Sequence, residues 1–355
     1  MKTRLLVLGL IAAAIASISA QQAPAGASAG RLLVANSNDT LHREKGPGYV
    51  AVYDPATGKK LATIPNTGTT AHEVTASPDG RFAYVPIFGN GGVGMPGSDG
   101  RTLDIVDLKA GKTVGTIDFG KGVRPHFVAV GKKDGLLYVT TEIDQTVTIV
   151  DPNLRKVVGT IPTGSPESHF VVLSGDGRRG YTANVYTGTV SVLDLQARKL
   201  LTTVPVAPAK DPSAKRVWRT QRLAMSPDDK TVYTCDWITS ELVAIDATSN
   251  SVRARAKISA PCYSIAATPD GRFVLAAARD SKKLAVVDVH AMKTVREIDV
   301  PATPQQVILR PDGQMAFVSC DQAQKVVAIR TSDWGVERTI DTGYWPDGLS
   351  WAVGN

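Results

Sequence analysis

Thr268-Pro269-Asp270-Gly271 stands between two short apolar runs, and variants of it recur along the chain. They read Ser77-Pro78-Asp79-Gly80, Lys132-Lys133-Asp134-Gly135, Ser174-Gly175-Asp176-Gly177, Ser226-Pro227-Asp228-Asp229 and Arg310-Pro311-Asp312-Gly313. Asp and Gly between alternating apolar residues mark a tight turn between antiparallel strands, because Gly supplies positive φ and Asp binds nearby backbone. The Asp-to-Asp steps are 55, 42, 52, 42 and 42 residues, so the unit is 42 residues long and two copies carry insertions. A period of roughly 40–45 residues with four strands per unit is that of a β-propeller blade.

Outward from each turn lies a second strand, then a third that ends in Asp, at 50–54, 103–107, 147–151, 190–194, 242–246 and 284–288, with a degenerate seventh at 326–330. A fourth strand follows each third one, which makes seven units. The turn phrase has only six copies. The segment at 31–36 reads as a second strand without a first, and 347–353 reads as a first strand without a second. The expected fold is therefore all-β: a seven-bladed β-propeller, four antiparallel strands per blade, the closing blade completed by the C-terminal strand. Such a closure removes the open edge between first and last blades.

The second strands read Leu137-Tyr138-Val139-Thr140-Thr141, Gly180-Tyr181-Thr182-Ala183-Asn184 and Val232-Tyr233-Thr234-Cys235-Asp236. These phrases resemble the YVTN family of β-propeller repeat proteins, and the resemblance extends over residues 30–355. It implies an exported binding protein. Related seven-bladed propellers include lactonases, a lyase and dehydrogenase subunits, and no catalytic signature of those enzymes transfers to this sequence.

Residues 1–20 read as a signal peptide: Lys2 and Arg4 precede an apolar stretch from Leu5 to Ile18, and small residues follow, with cleavage after Ala20 or Ser19. Residues 21–29 are a small, polar linker, and 30–355 form the propeller. The expected product is periplasmic or secreted, with no membrane span in the mature chain, and a monomer. Formal charge falls from +7 to +5 once Lys2 and Arg4 are removed. That modest total argues against nucleic acid, which needs a concentrated basic patch. Of Cys235, Cys262 and Cys320, at most two can join in an intramolecular disulfide; small buried thiols are the default reading, and Cys235 with Cys262 is the favoured pair if a disulfide forms.

Antiparallel alternation puts the loop before each innermost strand on the same face as the loop between strands two and three. The insertions at 37–48, 88–101 and 207–220 all fall on that face, where loops on a rigid scaffold commonly carry function. Aligning innermost strands on their turns gives His72, His126, His169, Gln221, Tyr263, Gln305 and Asp347 as the first residue of each. Three histidines on three neighbouring blades suit a divalent metal or acid–base catalysis. The alternative is a duplicated polar channel-lining residue. No cofactor is certain from the sequence. Glu73 alternates away from the channel, whereas Glu167 can reach the mouth, and Glu167 and Asp347 are the only carboxylates near the arc. His126, His169 and Glu167 are the catalytic candidates.

Trp218, Trp237, Tyr263, Trp345, Tyr186 and Tyr344 gather on the same face and suit an aromatic ligand. Lys210, Lys215, Arg216, Arg219 and Arg222 surround Asp211, and Arg43, Lys45 and Arg124 join them from other loops. This reads as a site for a small anion or as a solvated loop. The stretch Gly89-Asn90-Gly91-Gly92-Val93-Gly94 lacks the Gly-Lys-Ser/Thr ending of a phosphate loop and reads as a flap. The expected function is binding of a small anionic or aromatic molecule, or a protein partner, with a hydrolase or lyase built on the histidine arc as the alternative.

Overall fold

A computed structural model describes residues 30–37, 47–68, 70–90, 99–208 and 218–354. The expected signal peptide and linker lie outside these residues. So do most of the three insertions, including Arg43, Lys45, Gly91 to Gly94, Lys210, Asp211, Lys215 and Arg216.

The described residues form seven four-stranded antiparallel sheets. Six of them are built from consecutive strands, and the seventh has strand Pro346–Val353 beside Gly30–Asn36, Tyr49–Tyr53 and Lys60–Pro65. This is the seven-bladed β-propeller with its first blade completed from the C-terminal end. The closing ladder runs from Gly30 opposite Val353 to Asn36 opposite Pro346. No helix among the described residues is long and apolar enough to cross a membrane.

The repeated phrase is explained by its hydrogen bonds. In the turn at 77–82, Ser77 Oγ donates to Asp79, which accepts the Arg81 N–H, while Ser77 Oγ accepts the Phe82 N–H. The turns at 174, 226 and 268 repeat this pattern. Gly80, Gly177, Gly271 and Gly313 adopt φ of 66–71° there, and Asp229 takes φ 59° where the Gly is missing. The Asp ending each third strand caps the next turn, as Asp246 does by accepting the N–H groups of Thr248 and Ser249.

Third strands such as Thr146–Asp151 and Lys283–Asp288 are buried on both faces, since each blade packs on two neighbours. Seven apolar clusters result, one at each blade-to-blade interface. Leu33, Val50, Val74 and Val85 join blades one and two, for example, while Leu32, Tyr53, Phe317 and Leu349 join blades seven and one.

Cys235 on the second strand of blade five and Cys262 on the innermost strand of blade six are disulfide-bonded, with Cα atoms 5.9 Å apart. Cys320 is free and buried. The bond spans a separation of 27 residues, for which loop-closure entropy gives about 3.5 kcal/mol. Cys235→Ala/Cys262→Ala should therefore melt several degrees below the parent by calorimetry. An unchanged midpoint would show that blade packing alone sets the stability of this interface.

Candidate metal centre at the channel mouth

One backbone hydrogen bond recurs in all seven blades. A residue at the end of the second strand, or the first one past it, donates its N–H to a carbonyl before the innermost strand: Ser37 to Trp345, Phe88 to Thr70, Glu142 to Arg124, Val185 to Glu167, Trp237 to Arg219, Arg279 to Pro261 and Asp321 to Thr303. Two residues beyond each acceptor stand Asp347, His72, His126, His169, Gln221, Tyr263 and Gln305, which makes these seven structurally equivalent. The same bond defines a second ring of mouth residues, to which Phe88, Glu142, Trp237, Arg279 and Asp321 belong.

Just past these positions the innermost strands are irregular. Pairing shifts register between Pro125 and Val128, Ser168 and Phe170, Cys262 and Ser264, and Pro304 and Val307. In blades two and five regular pairing begins only at Thr75 and Leu223. Bulges and late strand starts re-aim side chains, so simple alternation fails here. Glu73 was expected to point away from the channel; instead it is fully buried and its Oε1 contacts Arg222 Nη2. Arg222, read from sequence as part of a basic loop, is 1% exposed and reaches across the channel to Glu73 and to Asp347 Oδ1 at 3.5 Å. Its guanidinium lies 5.1 Å from the Phe170 ring centre and 5.3 Å from that of Tyr263.

The three histidines are brought together. Ring centres of His72 and His126 are 4.8 Å apart, and those of His126 and His169 are 3.6 Å apart. His72 Nδ1 lies 2.7 Å from Asp347 Oδ2, and His169 Nδ1 lies 3.0 Å from Glu142 Oε1. Carboxylates at Nδ1 orient an imidazole and direct Nε2 outward as a ligand. His169 Nε2 is buried with no hydrogen-bond partner, as are both ring nitrogens of His126. His72, Glu73 and His126 offer ligand atoms within 4.8 Å of one another, and so do His126, Glu142 and His169.

Electrostatics sets the protonation of this cluster. Burial lowers His126 well below the ordinary histidine value, and His169, His72 and Arg222 add to the effect. Burial also lowers His169 despite Glu142. Both are thereby kept neutral, the form that binds metals. Burial opposes the charge on His72 as well, but the Asp347 carboxylate outweighs it and raises the group. Burial pushes Glu73 up to about 7 against the pull of Arg222. Asp347 goes the other way: burial would raise it, yet His72, Arg222 and Gln305 hold it down at about 2.

Of the two carboxylates the sequence places near the arc, Asp347 pairs with His72, whereas His169 pairs with Glu142 rather than with Glu167. Glu167 instead accepts a hydrogen bond from Ser165 Oγ. Glu142 follows a second strand, and only alignment on the second strands would have shown it facing the mouth. Trp218, Trp237 and Tyr263 pack edge to face with ring centres 5.3–6.3 Å apart. Trp218 Nε1 donates to the Tyr186 hydroxyl. Arg124 is buried against Asp99 and the Phe88 ring, and Arg219 donates to the Pro208 carbonyl. Trp345 packs beside Tyr344.

Comparison with known proteins adds two findings. The Seven-bladed beta-propeller protein Rv1057 of Mycobacterium tuberculosis is 31% identical over 137 residues, which is 38% of this chain and 32% of that relative. The chain thus matches about a third of that protein's length. The family model described as Cytochrome D1 heme domain, a propeller-type domain, matches residues 95–311. The mouth does not fit a haem as it stands: the imidazoles of His126 and His169 lie against each other, and Arg222 crosses the channel from Phe170 and Tyr263 to Glu73 and Asp347. A flat macrocycle would have to displace that bridge. The family match nevertheless extends over more than half of the chain, and by it this seven-bladed propeller belongs to the Cytochrome D1 heme domain family.

Proposed function

We propose that this protein is an exported binding propeller that holds a divalent transition metal in the His72/His126/His169 arc and presents it to a small anionic ligand. The observation that carries the reading is the pair of carboxylate-anchored imidazoles, His72 on Asp347 and His169 on Glu142, flanking a His126 whose ring nitrogens have no hydrogen-bond partner. An unpartnered buried polar atom costs about 1–3 kcal/mol, and a metal ion would remove that cost here. Imidazole with carboxylate suits zinc or copper. His72, at 21% side-chain exposure, gives the arc its contact with solvent. For an anion, Arg222 keeps Nε and Nη1 without partners beside the arc. The Trp218/Trp237/Tyr263 cluster supplies apolar ring surface on the same side. The Cys235–Cys262 disulfide supports an oxidising compartment.

The test is direct. Protein stripped by chelator should take up Zn(II) in dialysis followed by elemental analysis, and its melting temperature should rise with free Zn(II), by about 4 kcal/mol of stabilisation at 1,000 times the dissociation constant. Glu142→Gln should weaken uptake about 10–100-fold, as loss of an orienting carboxylate does. Neither Zn(II) nor Cu(II) retained above background would overturn the reading.

A further inference from the structure

We infer that the arc is a two-ion site in which His126, as an imidazolate, bridges one metal held with His72 and Glu73 to a second held with His169, whose ring Glu142 orients. This rests on the metal reading above and specifies its form. The two clusters of ligand atoms share one residue, His126, and each has its own second histidine and its own carboxylate. Both flanking histidines are oriented separately, by different carboxylates, on opposite sides of His126 in the ring order.

His126 is the decisive residue. It is wholly buried, and neither Nδ1 nor Nε2 has a hydrogen-bond partner. One ion would engage one nitrogen and leave the other as a buried N–H with no acceptor. Two ions engage both. The proton count follows: the first ion binds the lone-pair nitrogen of neutral His126 and releases nothing from that ring. The second forms a metal–nitrogen bond where the N–H bond breaks, and that proton leaves to solvent. The charges also close. Two divalent ions face the imidazolate, Glu73, Glu142 and Asp347, which carry four negative charges between them, and Arg222 leaves one positive charge over for an anion at the mouth.

The two positions differ in access. His72 is 21% exposed, whereas His126, His169 and Glu142 are fully buried. The ion beside His72 should exchange with chelator faster than the ion beside His169, so release should be biphasic.

Chelator-stripped full-length protein, saturated with Zn(II) and passed through a desalting column, should retain two ions per chain, and His169→Ala should retain one. His126→Ala should retain fewer than two. Near-UV circular dichroism identifies variants that are folded. The unmodified protein provides a readout without substitutions: loaded with two Cu(II), it should give an electron paramagnetic resonance signal well below two spins, because an imidazolate couples the ions. Saturation at one ion overturns the inference and leaves the metal reading standing. Two magnetically independent Cu(II), or a folded His126→Ala that still binds two ions, overturns the bridge. Zero ions overturns both.

Discussion

Removal of Pro346–Val353 should abolish cooperative folding. This strand supplies the innermost position of blade one, pairs with Gly30–Asn36, and buries Leu349 and Ala352 between blades seven and two. Without it, Leu32 and Val34 lose their cover and a long apolar edge strand is exposed, which invites aggregation. A ring of blades has nearest-neighbour stability only while it is closed, so the loss extends beyond one sheet. The expected result is a protein that precipitates or melts without a sharp transition. A peptide spanning the missing strand, added during refolding, should restore part of the cooperative melt. A truncated chain that melts sharply within a few degrees of the parent would show that the six remaining blades are self-sufficient.

Arg222→Ala should destabilise the protein by about 3–5 kcal/mol, the usual penalty for breaking a buried ion pair from one side. Glu73 and Asp347 are both fully buried against this guanidinium. Asp347 keeps His72 and Gln305 as partners, so most of the penalty falls on Glu73. The midpoint should drop by on the order of 10 °C, and Arg222→Met/Glu73→Gln should recover much of it by removing the stranded charge with its partner. A drop of only a degree or two for Arg222→Ala would mean that water or a neighbouring group already solvates Glu73.

The fold was legible because its signals are local. Ser/Thr and Asp at fixed offsets lock one turn, the Asp ending the third strand caps another, and both recur often enough to count blades. The seventh blade was legible because 31–36 and 347–353 are complementary halves. The equivalence of His72, His126 and His169 was legible for the same reason. Glu142, Glu73 and Arg222 were not. Bulges and late strand starts at the mouth break the two-residue alternation on which Glu73 was placed outside the channel. Arg222 sits next to a basic stretch, and only the fold reveals that its side chain crosses to blades one and two rather than joining that stretch. Glu142 lies in a turn whose sequence differs in every blade, so no repeated residue type marks the position.

The closing ladder has a mechanical consequence. Gly30 and Val353 are paired at one end of it, and Asn36 and Pro346 meet at the other, beside the mouth. Load applied to the two chain ends would thus act on a single pair and peel the ladder one rung at a time rather than shear all rungs at once, so the ring is weakest when pulled by its ends. The same placement puts Gly30 and Val353 on the face opposite the histidine cluster. A surface tether attached at either end would hold the mouth outward.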